Sequence, residues 1–303
     1  MACTCNTAGG NTGVPFCSPL QGVMHSLIIV PKYANDGTLN AIDLGTDTLD
    51  QAYFTTKINE DNQKDRWYPL PFMENVENVR AEALNETANS GNIYRIKQGA
   101  RTLTGAFFKQ PAQYLARLEK WLCIDFGVYE IDNNGALAGT LSVDGTKLYP
   151  RYVLNGSLDP NYVVATDTTV VKNTISFQYG EEVRDSQIGL ILPESMENAD
   201  LLNLNGLFDV QYKDSNISTT GLVSAVSLYY GDVLNPIKVE GLTDADFELF
   251  NETQSSLVTI TSVTEVTAGV YTFVFSAQAS ADALRLTLNK EGYANSVDKI
   301  LIP

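Results

Sequence analysis

The chain has 303 residues, 44% of them apolar, and its 36 Asp and Glu against 20 Lys and Arg give a formal net charge of −16. That length and apolar content fill one large or two ordinary cores and exclude a wholly disordered chain. So acidic a surface repels phosphate on average, and no Lys/Arg cluster with interleaved aromatics offers a nucleic-acid reader its basic patch.

No run approaches the roughly 18 apolar residues of a membrane-spanning helix, and residues 27–30 fall far short, so no membrane anchor is expected. Residues 1–24 read as an arm, because Gly9, Gly10, Gly13, Pro15 and Pro19 break every periodicity. The arm carries Cys3, Cys5 and Cys17, which with His25, the single histidine, could supply four zinc ligands. Their spacing matches no finger or ribbon, so no metal or cofactor is expected. The start lacks the basic and apolar regions of a secretory signal, which favours the cytosol, or something assembled there, and reduced thiols.

Residues 26–44, SLIIVPKYANDGTLNAIDL, read as two short strands joined by a tight turn at Asn35-Asp36-Gly37. RWYPLPFMENV then places Trp67, Tyr68, Leu70, Phe72 and Met73 around two prolines, as in an extended edge or docking segment. Two alternating runs flank Asn89-Ser90-Gly91-Asn92, predicting a long hairpin whose Arg95, Lys97 and Arg101 face Glu82 and Glu86. The one helix expected is QPAQYLARLEKWL, with Pro111 at its start, Leu115, Leu118, Leu122 and Trp121 inward, and Arg117 and Lys120 in water.

Next, CIDFGVYEIDNNGALAG reads as strand, turn at Asn133-Asn134-Gly135, strand, with Cys123 a small core residue. In VVKNTISFQYG, Val171, Ile175, Phe177 and Tyr179 alternate with polar residues, predicting a half-buried strand. A short second helix is expected over 194–202, after Pro193. The polar stretch 211–221 reads as a linker. Beyond it about seven short strands fall in roughly eighty residues, the pattern of an immunoglobulin-like sandwich. Leu284, Leu286 and Leu288 form one inner face and Tyr271, Phe273 and Phe275 another, and no Cys or Trp marks an antibody-type core.

Catalytic motifs are not found. A nucleophile would have to recruit His25, without a G-x-S-x-G elbow, and no phosphate-binding glycine loop occurs. The pairs Glu181-Glu182, Asp244 with Asp246, and Glu194 with Glu197 are of the kind that serves acid–base work or calcium, yet an acidic chain scatters such pairs over its solvated surface. No catalytic, cofactor-binding or metal residue is assigned, and no enzymatic activity is expected. Trp67-Tyr68 and Tyr229-Tyr230 are the aromatic pairs best suited to an interface, whereas Phe273 and Phe275 read as core.

The order of long hairpin, amphipathic helix, return strands and immunoglobulin-like module resembles tail-tube proteins of long-tailed bacteriophages. VENVRAEALNETANSGNIYRIKQGARTLTGAFFKQPAQYLARLEKW and DTTVVKNTISFQYG look like virion proteins of phages of Bacteroidota. The likeness covers about residues 26–215 and the appended module. It implies a mainly β protein: an arm over 1–24, a tail-tube-like barrel or sandwich with one flanking helix over 25–218, and an immunoglobulin-like sandwich over 219–303. It further implies homo-oligomeric rings, hexameric in a tail tube, stacked around a DNA-conducting channel and contacting other virion proteins. The virion would be assembled in the host cytoplasm, with DNA a passing, non-specific cargo. Residues 79–108 and 170–179 become the channel-wall candidates. Another virion component, such as a connector, ring or decoration protein, is the alternative, followed by a surface adhesin or pilin subunit and a glycan-active module.

Overall fold

The computed structural model describes residue 13 and residues 18–232, 234–294 and 297–303. The fold is mainly β, with 46% strand and, among the described residues, two α-helices. The cysteines read as part of the arm, Cys3, Cys5 and Cys17, lie outside the described residues. The end of that segment is not an arm: the Gln21 amide donates to Glu130, the Gly22 N–H to the Asp132 carboxylate, the Val23 carbonyl accepts from Asn133, and Met24 opens the first strand.

The N-terminal part is built on strand Met24–Pro31, which pairs with Phe126–Asp132 on one side and Tyr68–Pro69 on the other. Its unbroken apolar text, Leu27 to Val30, follows from burial on both faces. Leu27 and Ile29 enter a core shared with Leu103, Phe107, Ile175 and Phe177 of a second, four-stranded sheet. Ile28 and Val30 point the other way, to Phe54, Trp67, Tyr129, Met196 and Leu201. The layers are thus four-stranded sheet, eight-stranded sheet, then a helix with the segments around Met196 and Leu201.

Several expectations are corrected at this level. Gly37 (φ +84°) does make the turn after Tyr33, but the flanking segments share only the bridge Tyr33–Leu39, and Ile42–Asp43 pairs with Lys147–Tyr149 instead. A helix not foreseen spans Gln51–Asn59, capped by the Asp50 carboxylate, which accepts from the Tyr53 N–H at 2.7 Å. Only Phe54 and Ile58 of its nine residues are buried, so one i, i+4 pair was its whole hydrophobic signal. The second helix is shorter than read, Gln113–Glu119: Leu118 is buried, Leu122 is exposed, and Cys123 is an exposed thiol rather than core. Residues 194–202 form two 3₁₀ turns, Pro193–Ser195 and Leu201–Asn203, in place of an α-helix.

Among the buried polar groups, Glu130 and Arg151, both fully buried, form an ion pair, and the Tyr179 hydroxyl and Gln21 amide each donate to Glu130 at 2.6 Å. The Arg151 guanidinium lies 4.4 Å from the Tyr179 ring centre. Burial, reinforced by Glu130, lifts the Tyr179 hydroxyl far above its ordinary range.

The stretch 211–221 is no linker. Strand Val210–Ser218 pairs along its length with Gly221–Gly231 and opens the C-terminal sandwich, so the sandwich begins before residue 219. Lettered in chain order, with the short Pro236–Lys238 left out, its eight main strands form sheets A-B-E-D and C′-C-F-G, the immunoglobulin order. Leu284, Leu286, Leu288, Tyr271, Phe273 and Phe275 fill the space between them as expected. The two parts meet where Arg117 pairs with Asp209 at 2.7 Å and covers the Tyr229 ring at 3.7 Å. Asn59 Oδ1 accepts from the Gly292 N–H beside them, at 3.1 Å.

Candidate assembly surface

Of the wall candidates 79–108 and 170–179, residues 79–80, 101–108 and 172–178 lie in one sheet, whereas 84–87 and 93–97 form a ribbon of their own. Strand Lys172–Gln178 pairs residue by residue with Arg101–Phe108, and the order across the sheet is Asp159–Val163, Lys172–Gln178, Arg101–Phe108, Glu74–Arg80. Alternation sends Leu103, Phe107, Asn173, Ile175 and Phe177 into the core. The opposite face follows from the register, because residues directly across an antiparallel pair share a face. One row across it reads Asp159, Ser176, Thr104, Glu77 and the next Asn161, Thr174, Ala106, Glu74. Acids therefore stand on both outer strands, with small uncharged residues between them. Lys172, two residues before Thr174 and opposite Phe108, has its Nζ 5.6 Å from the Phe108 ring centre.

Both outer strands are free margins: among the described residues neither Asp159–Val163 nor Glu74–Arg80 has a second strand partner. Unpaired N–H and C=O groups in such a row template pairing with another chain.

The Glu74–Arg80 margin runs on into a separate ribbon, Leu84–Thr87 paired with Ile93–Lys97. Its turn lies where Asn89-Ser90-Gly91-Asn92 placed it, with Gly91 at φ +82°. Every residue of both ribbon strands is exposed. Tyr94 (59% exposed) and Ile96 (57%) alternate on one side, Ile93 (69%) lies on the other, and Leu84 (51%) stands opposite Lys97 beyond an irregularity in the register. A two-stranded ribbon with no packed face is marginal in water, and among the described residues this one has no stabilising partner.

The basic residues of the hairpin do not meet Glu82 and Glu86. Glu86 lies opposite Tyr94, and Arg95 opposite Asn85. Lys97 reaches Glu181 at 3.9 Å, an exposed pair, and Arg101 lies opposite Arg80, both turned to Asp185. Arg80 grips Asp185 with Nε (3.0 Å) and Nη2 (2.9 Å), and Arg101 Nε stands 3.0 Å away. The Arg80 hydrogen bonds above all, with those and the charge of Arg101, hold the Asp185 carboxyl down at about 2. Alternation puts Arg101 on the Leu103 side, away from the face of small polar residues.

The other singled-out groups are scattered. His25 stacks on Phe72 (centroids 4.7 Å apart) beside Ser26, and burial keeps its pKa below the ordinary value. Glu182 pairs with Lys32 at 3.7 Å, and Asp246 caps a 3₁₀ turn with Thr243 and approaches Lys290 at 3.6 Å. Glu194 and Glu197 line a surface depression of about 520 Å³ with Pro193 and Met196. Among the described residues no three His, Cys, Asp or Glu are grouped to hold a metal ion. Trp67 is buried rather than free for an interface, and Tyr229, under Arg117, serves the junction within the chain. No family model matches this chain, and no curated protein matches it in sequence.

Proposed function

We propose that the chain is a self-assembling virion structural subunit of tail-tube type, whose copies join along the free margins of the four-stranded sheet into rings around a DNA-conducting channel. The observation that carries this reading is that sheet, open at both edges, with one edge extended into an exposed apolar ribbon. The two edges differ, Asp159–Val163 on one side and Glu74–Arg80 on the other. A contact between unlike edges is head-to-tail, and such a contact closes into a ring when its rotation allows. The ribbon then supplies apolar area to a neighbouring copy.

The face that such a ring would turn inward carries Ser, Thr and Asn with Asp159, Glu74 and Glu77, and also Ala106, Val79, Phe108 and one cation, Lys172. Few cations there means little counterion-release affinity for DNA phosphates, so a passing duplex slides. The reaction performed is assembly; no covalent step is assigned. Rings would form in the host cytoplasm and end in the virion, against other virion proteins.

Sedimentation velocity over a rising concentration series tests this. The full chain is expected to pass from a 33.1 kDa species to large assemblies. Replacing the exposed Leu84, Tyr94 and Ile96 by Ser removes that transition without loss of fold. Identical sedimentation of both proteins as monomers at every concentration overturns the proposal.

A further inference from the structure

We infer that Asp185 is the positioning residue of the ribbon: it fixes the root of the arm to the body, and the arm bends immediately beyond that root. Three features meet at the root. Arg80 and Arg101 lie directly opposite each other on the paired strands, where two like charges would repel. Asp185, at the start of the 3₁₀ turn Asp185–Gln187, takes both, Arg80 in a two-pronged grip and Arg101 at 3.0 Å. Each arginine is also tied across the hairpin: Arg80 Nη1 donates to the Gly99 carbonyl, just before the opposite strand, at 2.8 Å, and Arg101 Nη1 to Asn78 Oδ1 at 2.9 Å. A fork that meets a carboxylate in two parallel bonds fixes direction as well as distance.

One step outward the ladder fails. The Ala81 N–H still donates to the Ala100 carbonyl at 2.8 Å, but neither residues 81–83 nor 98–100 belong to a strand, and the ribbon beyond counts as a sheet of its own. Backbones pinch here so closely that a Cβ on Gly99 would lie 2.0 Å from the Ala81 carbonyl oxygen. Beyond the pinch, the only described ion pair between ribbon and body is Lys97–Glu181 at 3.9 Å, with side chains 64% and 91% exposed. Such a pair holds little. The arm is therefore clamped at residues 80 and 101 and free to swing from 81 and 100 outward.

This inference rests on the assembly reading, for which a fixed root and a movable tip let the exposed Leu84, Tyr94 and Ile96 seek a second copy from one defined point. Hydrogen exchange of the full, unassembled chain tests the clamp. In the wild type, amides of residues 84–97 are expected to exchange near the unprotected rate and those of 102–108 slowly. Asp185→Asn is expected to speed exchange at 77–80 and 101–103 about tenfold, and Asp185→Glu to restore part of the protection. Exchange of 84–97 as slow as that of 102–108, or no change in Asp185→Asn, overturns the inference. Elongation rate is the second readout: Asp185→Asn is expected to slow it while the exchange of the eight-stranded sheet stays as in wild type, and an unchanged rate overturns the positioning role. A wild type that never assembles yet shows the exchange pattern removes the assembly reading and with it the arm's role, while the clamp itself is read from exchange alone.

Discussion

Replacing Arg151 by Met takes the one cation away from Glu130 in the middle of the N-terminal core. Glu130 is wholly buried and Arg151 is 1% exposed, so neither can turn to water. Breaking a buried pair by removing one partner costs about 3–5 kcal/mol, because the survivor's charge is left without compensation. Here Tyr179 and Gln21 still donate to Glu130, which puts the expected loss at the lower end, about 3 kcal/mol. Arg151 is itself incompletely satisfied, since Nε and Nη2 find no hydrogen-bond partner in the described structure. The pair is accordingly a poor source of net stability, and the triple variant Glu130→Leu, Arg151→Met, Tyr179→Phe, which removes the charges and the hydroxyl together, is expected to recover most of the loss. Urea unfolding followed by tryptophan fluorescence reads this part alone, because Trp67 and Trp121 are the chain's two tryptophans. A loss under about 1 kcal/mol in Arg151→Met, or a triple variant as unstable as the single one, would refute the reasoning.

In the C-terminal sandwich, burial first and then the hydrogen bond and charge of Asp214 raise the Asp298 carboxyl to about 7. Its folded pKa lies above the unfolded one, so stability is full below about pH 4 and falls as pH rises toward about 7, by roughly 1–2 kcal/mol once partial exposure is discounted. Thermal unfolding at pH 5 and pH 8 should show this slope in the wild type and lose it in Asp298→Asn. Arg117→Ala removes both the Asp209 pair and the Tyr229 stack at the junction, costing the contact about 1–2 kcal/mol, and X-ray scattering should report a broader distribution of dimensions with each part's melting unchanged.

How much could be read in advance depended on how local the signal was. The hairpin turns at Gly91 and Gly135 and the alternation through Ile175 and Phe177 were legible because turn chemistry and the period of two are written in neighbouring residues. Alternation marks both wall segments as strands, but neither the order of the four-stranded sheet nor the departure of 84–97 into a ribbon of its own is written in it. The helix Gln51–Asn59 escaped because Phe54 and Ile58 are its only buried residues and tertiary packing, not periodicity, holds it. Strand Val210–Ser218 escaped for a related reason: at a sandwich edge most of its residues face water, so its text is as polar as a linker's. The charge partners of the hairpin failed for want of long-range information, since Asp185 lies 105 positions from Arg80. A cysteine beside an amphipathic helix reads as core, but the exposure of Cys123 is decided by how early that helix stops, at Glu119.

Electron microscopy of the concentrated full chain bears most directly on the proposed assembly. Stacked rings forming tubes of uniform bore, with the Asp159–Val163 and Glu74–Arg80 strands of adjacent copies paired in the wall, are the predicted result. A field of separate 33.1 kDa particles at the highest attainable concentration, or rings joined through the C-terminal sandwich with the four-stranded sheet left unpaired, would contradict it.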